Sequence, residues 1–90
     1  MTAIHTILVV DDDLSIVELL RDFLENDRFH VLTAGSAEEA WSLFRQHAVH
    51  GMIVDIMMPG QDGFELCRRI RAESDVPILF LSARSGDIDK

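Results

Sequence analysis

Residues 52–60 read MIVDIMMPG. A short apolar run ends on a carboxylate, Asp55, and Pro59, Gly60 and Gly63 soon follow. Proline and glycine at that spacing mark a sharp turn after a strand. The third strand is therefore expected over Gly51–Val54, with Asp55 at its carboxyl end. The fold follows from finding the same kind of segment elsewhere in the chain.

Ile7–Val10 is a continuous, β-branched apolar run that suits a strand buried on both faces. Asp13 is a suitable N-cap. Behind it Ile16, Val17, Leu20, Phe23 and Leu24 recur at helical spacing through Glu25. Phe29–Ala34 reads as a second strand. Ser36 and Glu39 have the spacing of a capping box, ahead of an apolar stripe of Ala37, Ala40, Trp41, Phe44 and Ala48. After the third strand, Asp62 and Gly63 open a third helix. Phe64, Cys67 and Ile70 are expected to face inward, with Glu65, Arg68, Arg69 and Arg71 outward on a solvated face. Pro77–Leu81 reads as a fourth strand, with proline tolerated at its first position. Residues 82–87 read as loop, with a helical stub starting near Gly86. The order β-α-β-α-β-α-β predicts one α/β domain over residues 1–90. Its sheet is parallel and doubly wound, with helices on both faces. In such sheets the functional crevice lies beyond the carboxyl ends of the strands.

Composition narrows the function classes. The 90 residues allow one modest core, and 48% of them are hydrophobic. The formal net charge of −8 argues against direct contact with nucleic acid or an anionic membrane. No apolar run approaches the roughly 20 residues of a membrane span, and MTAIHTILVV does not read as a signal peptide. The single cysteine, Cys67, excludes an internal disulfide and fits a reducing, cytoplasmic setting. Cys67, Trp41 and Phe44 read as packing residues. His5, His30, His47 and His50 are scattered, with no ligand spacing on one element. His47 and His50 flank the end of the second helix, where positive charge suits the helix dipole. There is no phosphate-binding glycine loop, so no nucleotide site is expected.

The expected strand ends carry the chemistry. The first delivers Asp11, Asp12 and Asp13, the third Asp55, and the fourth Ser82 and Ala83. First and third strands are usually neighbours in a doubly wound sheet, which would gather Asp11, Asp12 and Asp55 in one pocket. Carboxylates that close repel one another. A hard divalent cation, Mg²⁺ or Mn²⁺, is the natural counter-charge. A calcium loop starting at Asp11 fails, because Ile16 stands where glycine is needed and no glutamate stands at the twelfth position. Beside such a cation Asp55 could attack phosphorus and form an aspartyl phosphate. The Ser82 hydroxyl and backbone N–H groups after it could bind the remaining oxygens.

ILVVDDD, VDIMMPGQDG and PILFLSA together resemble the response-regulator receiver domain of two-component signalling, over nearly the whole chain. MMPGQDGFELCRRIR and LSAR are most similar to the receivers joined to winged-helix DNA-binding domains. The resemblance implies a flavodoxin-like receiver fold. It implies Asp55 as phosphoacceptor, Asp12 as a direct metal ligand and Asp11 as one acting through water. It implies the Met57 backbone carbonyl as a further ligand. It makes Ser82 the switch hydroxyl and Ala83 the small residue whose N–H faces the phosphoryl group. Pro59 and Gly63 match the shape of the acceptor loop, and Asp13 is left as the helix cap. The implied partners are a sensor histidine kinase and an output domain outside this chain, DNA-binding in that subclass. The protein is then a regulatory module and not an enzyme in the usual sense.

The chain also departs from the family. Its one lysine, Lys90, lies eight residues past Ser82 and cannot be the lysine that ends the family's fifth strand. A fifth strand and fifth helix, on the order of thirty residues at ordinary element lengths, are expected to be missing by truncation. The fourth strand would then be an open edge offering Ile78–Leu81 for self-association. Two other functions compete. LVVDDDLS also resembles the strand end of haloacid-dehalogenase-type phosphatases, with Asp11 as nucleophile and Asp13 as acid. Without the lysine, the chain could instead be an inert metal-binding fragment.

Overall fold

The computed structural model describes residues 4–56 and 63–81. It alternates strand and helix as expected: β1 (Thr6–Val10), α1 (Leu14–Asn26), β2 (His30–Ala34), α2 (Ala37–Gln46), β3 (Gly51–Asp55), α3 (Gly63–Arg71) and β4 (Ile78–Leu81). The strands form one parallel sheet in the order β2-β1-β3-β4. The chain winds outward from β1 in both directions, so a crevice opens where the connections leaving the carboxyl ends of the paired β1 and β3 diverge. No helix among the described residues is long and apolar enough to cross a membrane.

The two-residue period of the strands divides the core. Leu8, Val10, Met52 and Val54 point to the face covered by α2 and α3, where they meet Ala40, Leu66, Cys67 and Ile70. Val9 points the other way, with Ile7 and Ile53 beside it, onto Val17, Leu20 and Leu24 of α1. Both faces of β1 are therefore covered, which is why its sequence is continuously apolar.

Each helix differs from its expected stripe at identifiable places. In α1, Val17 is buried but Ile16 and Phe23 are exposed. They lie on the flank of the apolar sector, turned away from the sheet. In α2 the stripe ends early: Ala48 lies beyond the helix and is exposed, because His47 caps the end through its N–H to Leu43 O. In α3 the buried residues are Gly63, Leu66, Cys67 and Ile70. Phe64 is half exposed and instead meets Phe80 of the edge strand, with ring centroids 5.1 Å apart and planes tilted by 47°. Leu66 takes the core position because the i, i+3, i+4, i+7 set runs from Gly63.

The end of α1 explains why β2 starts at His30 and not at Phe29. Phe29 N–H bonds Leu24 O at 3.1 Å and Arg28 N–H bonds Glu25 O at 2.9 Å. These are the paired bonds of a Schellman turn. Arg28 takes the left-handed position at φ 72°, which glycine usually fills. Phe29 belongs to this turn and packs with Leu24 in the α1-side core. The cap of α2 departs in detail. Ser36 Oγ accepts from Glu39 N–H at 3.1 Å, but Glu39 Oε1 accepts from the N–H of Gly35, not Ser36, at 3.0 Å.

The arginines of α3 are not simply solvated. Arg71 Nη1 donates to Ser74 O at 3.3 Å and to Val76 O at 2.5 Å, closing the turn into β4. Arg69 lies 4.3 Å over the Trp41 ring. Arg68 pairs with Glu65 at 3.5 Å.

Candidate functional site

The adjacency of β1 and β3 builds the site. Val10 and Val54 are register partners, so the next residue of each strand emerges side by side at the carboxyl end. Those residues are Asp11 and Asp55, only 3% and 4% exposed. Asp12 follows and is open to solvent. Carboxylate oxygens of Asp11, Asp12 and Asp55 lie within 4.8 Å of one another. The expected trio is thus brought together. Met57, Pro59, Ser82, Ala83 and the proposed stub up to Lys90 lie outside the described residues.

Backbone bonds fix the first loop. Asp11 N–H donates to Ala34 O at 3.0 Å, carrying the β1–β2 ladder one residue past the strand. Asp11 Oδ1 accepts from the N–H of Asp13 at 2.9 Å. Asp13 in turn caps α1, its Oδ1 accepting from Ser15 N–H at 2.9 Å. The acidic run is thereby divided: Asp11 and Asp12 serve the pocket, and Asp13 is engaged by the helix.

The electrostatics favour a proton on the trio. Burial pushes the Asp11 carboxyl up from its ordinary 3.8 to about 6, against the lowering effect of the Asp13 N–H. The charge of Asp55, a shared hydrogen bond with it, and the charge of Asp12 push the same way. Without a counter-cation the native state therefore holds this proton more tightly than the unfolded chain between pH about 4 and 6. Stability contributed by the site falls as pH rises through that window. Three hard oxygen donors with no nitrogen or sulfur suit a small divalent cation of the magnesium type.

Gly63 lets the third element approach. A Cβ there would sit 2.8 Å from Asp55 O and 3.1 Å from Ile56 Cα. The first turn of α3 therefore lies directly on the backbone that carries Asp55, and only glycine fits without a shift. We expect Gly63→Ala to cost about 1–3 kcal/mol in urea unfolding by overpacking against backbone. The amide resonance of Asp55 should move in the same variant. A variant as stable as the parent, with that resonance unmoved, would contradict the contact.

One contact escaped the reading of local spacing. Thr6 N–H donates to His50 Nδ1 at 2.9 Å, and the His5 and His50 rings meet edge-on at 5.0 Å. His50 therefore serves the start of β1 and not the end of α2, where only His47 sits as the cap. The pairing comes from strand register across 44 residues, so no spacing within one element could announce it.

Comparison with known proteins agrees with this geometry. The model of one protein family, described as the response regulator receiver domain, matches residues 7–90. The chain is 46% identical over 85 residues to the response regulator GtcR of Aneurinibacillus migulanus, covering 94% of this chain and 35% of that protein. It is 45% identical over 86 residues to the transcriptional regulatory protein YvrH of Bacillus subtilis, covering 94% and 36%. It thus spans about a third of the length of these relatives. Among solved structures, the chemotaxis response regulator CheY4 of Vibrio cholerae superposes with a TM-score of 0.82 at 30% identity, covering 87% of this chain and 68% of that one.

Proposed function

The chain belongs to the response regulator receiver domain family, and from that membership we propose that Asp55 accepts a phosphoryl group from a phosphohistidine on a sensor kinase. The observation that carries the reading is the meeting of Asp55 with Asp11 and Asp12 at the β1–β3 crevice. A carboxylate oxygen of Asp55 forms the new O–P bond as the donor's N–P bond breaks, and the freed imidazole takes its proton from solvent. The backbone contact at Gly63 and the β3 register hold that carboxylate in place. Asp11, Asp12 and Asp55, with the Met57 carbonyl added by family resemblance, would hold a Mg²⁺ or Mn²⁺ ion, which would supply positive charge against the trio and the incoming phosphoryl group. Ser82 and the Ala83 N–H are assigned the remaining phosphoryl oxygens by family resemblance.

In this reading the protein is a regulatory module in the cytoplasm and not a turnover enzyme. Its phosphorylation state drives an output domain, for which the transcriptional relatives make DNA binding the leading choice. The phosphatase alternative is not favoured: it requires Asp13 as an acid, and Asp13 is bonded to Ser15 as the cap of α1. The inert-fragment alternative has no feature of the described residues in its favour. Self-association through β4 is part of the proposal. That strand is an edge of the described sheet, and Leu79 on it is 62% exposed. Sedimentation of the 90-residue chain at micromolar concentration should show dimers or larger species, and a folded monomer alone would exclude this part.

Incubation with acetyl phosphate and Mg²⁺ tests the main reading. A covalent phosphoryl adduct that needs the metal supports it, and labelling indifferent to a chelator opposes it. The Asp11 proton adds a pH signature. Metal binding must displace that proton, so Mg²⁺ affinity by calorimetry should fall as pH drops below about 6, approaching about tenfold per pH unit. Affinity unchanged from pH 7 to 5 would mean that Asp11 takes no part.

A further inference from the structure

The end of the sheet opposite the carboxylates holds a second arrangement of titratable groups. Thr6 on β1 and His50, just before β3, exchange two hydrogen bonds. His50 N–H donates to Thr6 O at 2.8 Å, and Thr6 N–H donates to His50 Nδ1 at 2.9 Å. The first is an ordinary ladder bond. The second uses a side chain to continue the β1–β3 pairing past the register partners Ile7 and Gly51. The His5 ring stands edge-on to His50, with planes 86° apart. His5 O also accepts from His30 N–H at 2.9 Å, which ties the start of β2 to the same point.

We propose that His5 and His50 form an acid-released latch that fastens the start of β1 to the start of β3. An imidazole whose Nδ1 accepts a hydrogen bond carries its one proton on Nε2. Adding a second proton places N–H groups on both nitrogens, and Nδ1 then faces the Thr6 N–H donor to donor. The bond is lost. If His5 is also protonated, two cationic rings stand 5.0 Å apart between centroids.

The other titratable side chains at the strand starts and in the turn before β3 are His30 and His47, both imidazoles. Asp27 and Arg28 in the α1–β2 turn and Glu73 and Asp75 before β4 are the charged groups on neighbouring connections, and Glu73 is paired with Arg45. Among the described residues no carboxylate is ion-paired with any of the histidines. Uptake of a second proton by the His50 ring therefore opens the latch. It joins the two strands that carry Asp11 and Asp55, one strand length of roughly 15 Å away. Opening the latch therefore loosens the strands that support the site from their far end, separately from the proton that Asp11 itself takes up.

Amide exchange and imidazole ¹⁵N spectra of the ¹⁵N-labelled 90-residue chain test the latch. At pH 8, Nδ1 of His50 should be the unprotonated ring nitrogen, and the Nδ1–H tautomer would overturn the proposal. Between pH 8 and 5 the protection factor of the Thr6 amide should fall on the order of tenfold, the equivalent of one hydrogen bond, while that of Val9 holds. In His50→Asn the side-chain oxygen replaces Nδ1 as a non-titrating acceptor, and Thr6 should stay protected at both pH values. An equal loss of Thr6 protection in His50→Asn, or none in the parent, would refute the latch.

Discussion

Asp55→Asn should abolish labelling of the chain by acetyl phosphate, while Asp11→Asn should retain a slow residue of it. The asymmetry follows from what each carboxylate does. Asp55 supplies the oxygen that bonds to phosphorus, and an amide oxygen is too poor a nucleophile to replace it. Asp11 lies on the neighbouring strand end, where its charge serves the counter-cation and leaves the attacking atom in place. The variant should also be well folded. Asparagine keeps the shape of the side chain and removes one of three crowded negative charges, so the metal-free protein should be at least as stable as the parent. That stability, checked by thermal melting at pH 7, separates lost chemistry from lost structure. Persistent labelling of Asp55→Asn, lost only with Asp11→Asn, would instead favour the phosphatase reading.

Ile70→Ala should cost about 2–5 kcal/mol, the range for emptying a fully buried aliphatic site. Ile70 is 0% exposed and belongs to the larger core, with Leu8, Val54 and Leu66. It closes the last turn of α3, whose first turn lies on the Asp55 backbone. Domains of this size typically have about 5–15 kcal/mol to lose, with small ones at the lower end. The variant should thus be close to unfolded, with its urea midpoint sharply reduced and its slope unchanged. Phe64→Ala, in the first turn of the same helix, should cost under about 1 kcal/mol, because Phe64 lies half outside. Equal costs at the two positions would contradict the core described for α3.

The sequence made the topology legible because each strand and helix carries its own period. Ile7–Val10 is apolar throughout, and β1 is covered on both faces. Asp13 reads as a cap and is one. Side-chain direction was harder to read wherever an apolar residue sits on the flank of a helix, as with Ile16, Phe23 and Phe64. A helical stripe does not say where the partner surface stops. The turn at Arg28 was hidden because a left-handed position is normally announced by glycine. Of the site, Asp11, Asp12 and Asp55 could be gathered in advance, since strand adjacency in doubly wound sheets is regular. The close fit of Gly63 on Asp55 could be read only as a likeness of loop shape, because the distance depends on how α3 meets β3. The His5–His50 pairing was invisible, since register across 44 residues leaves no local trace.

One carboxylate of the acidic cluster, that of Asp55, is expected to become the acyl phosphate. Borohydride reduction after labelling with acetyl phosphate and Mg²⁺ converts that residue alone to homoserine, and peptide mass mapping then locates it. Homoserine is expected at position 55, with Asp11, Asp12 and Asp13 intact. Homoserine at position 11 with Asp55 unchanged would contradict it.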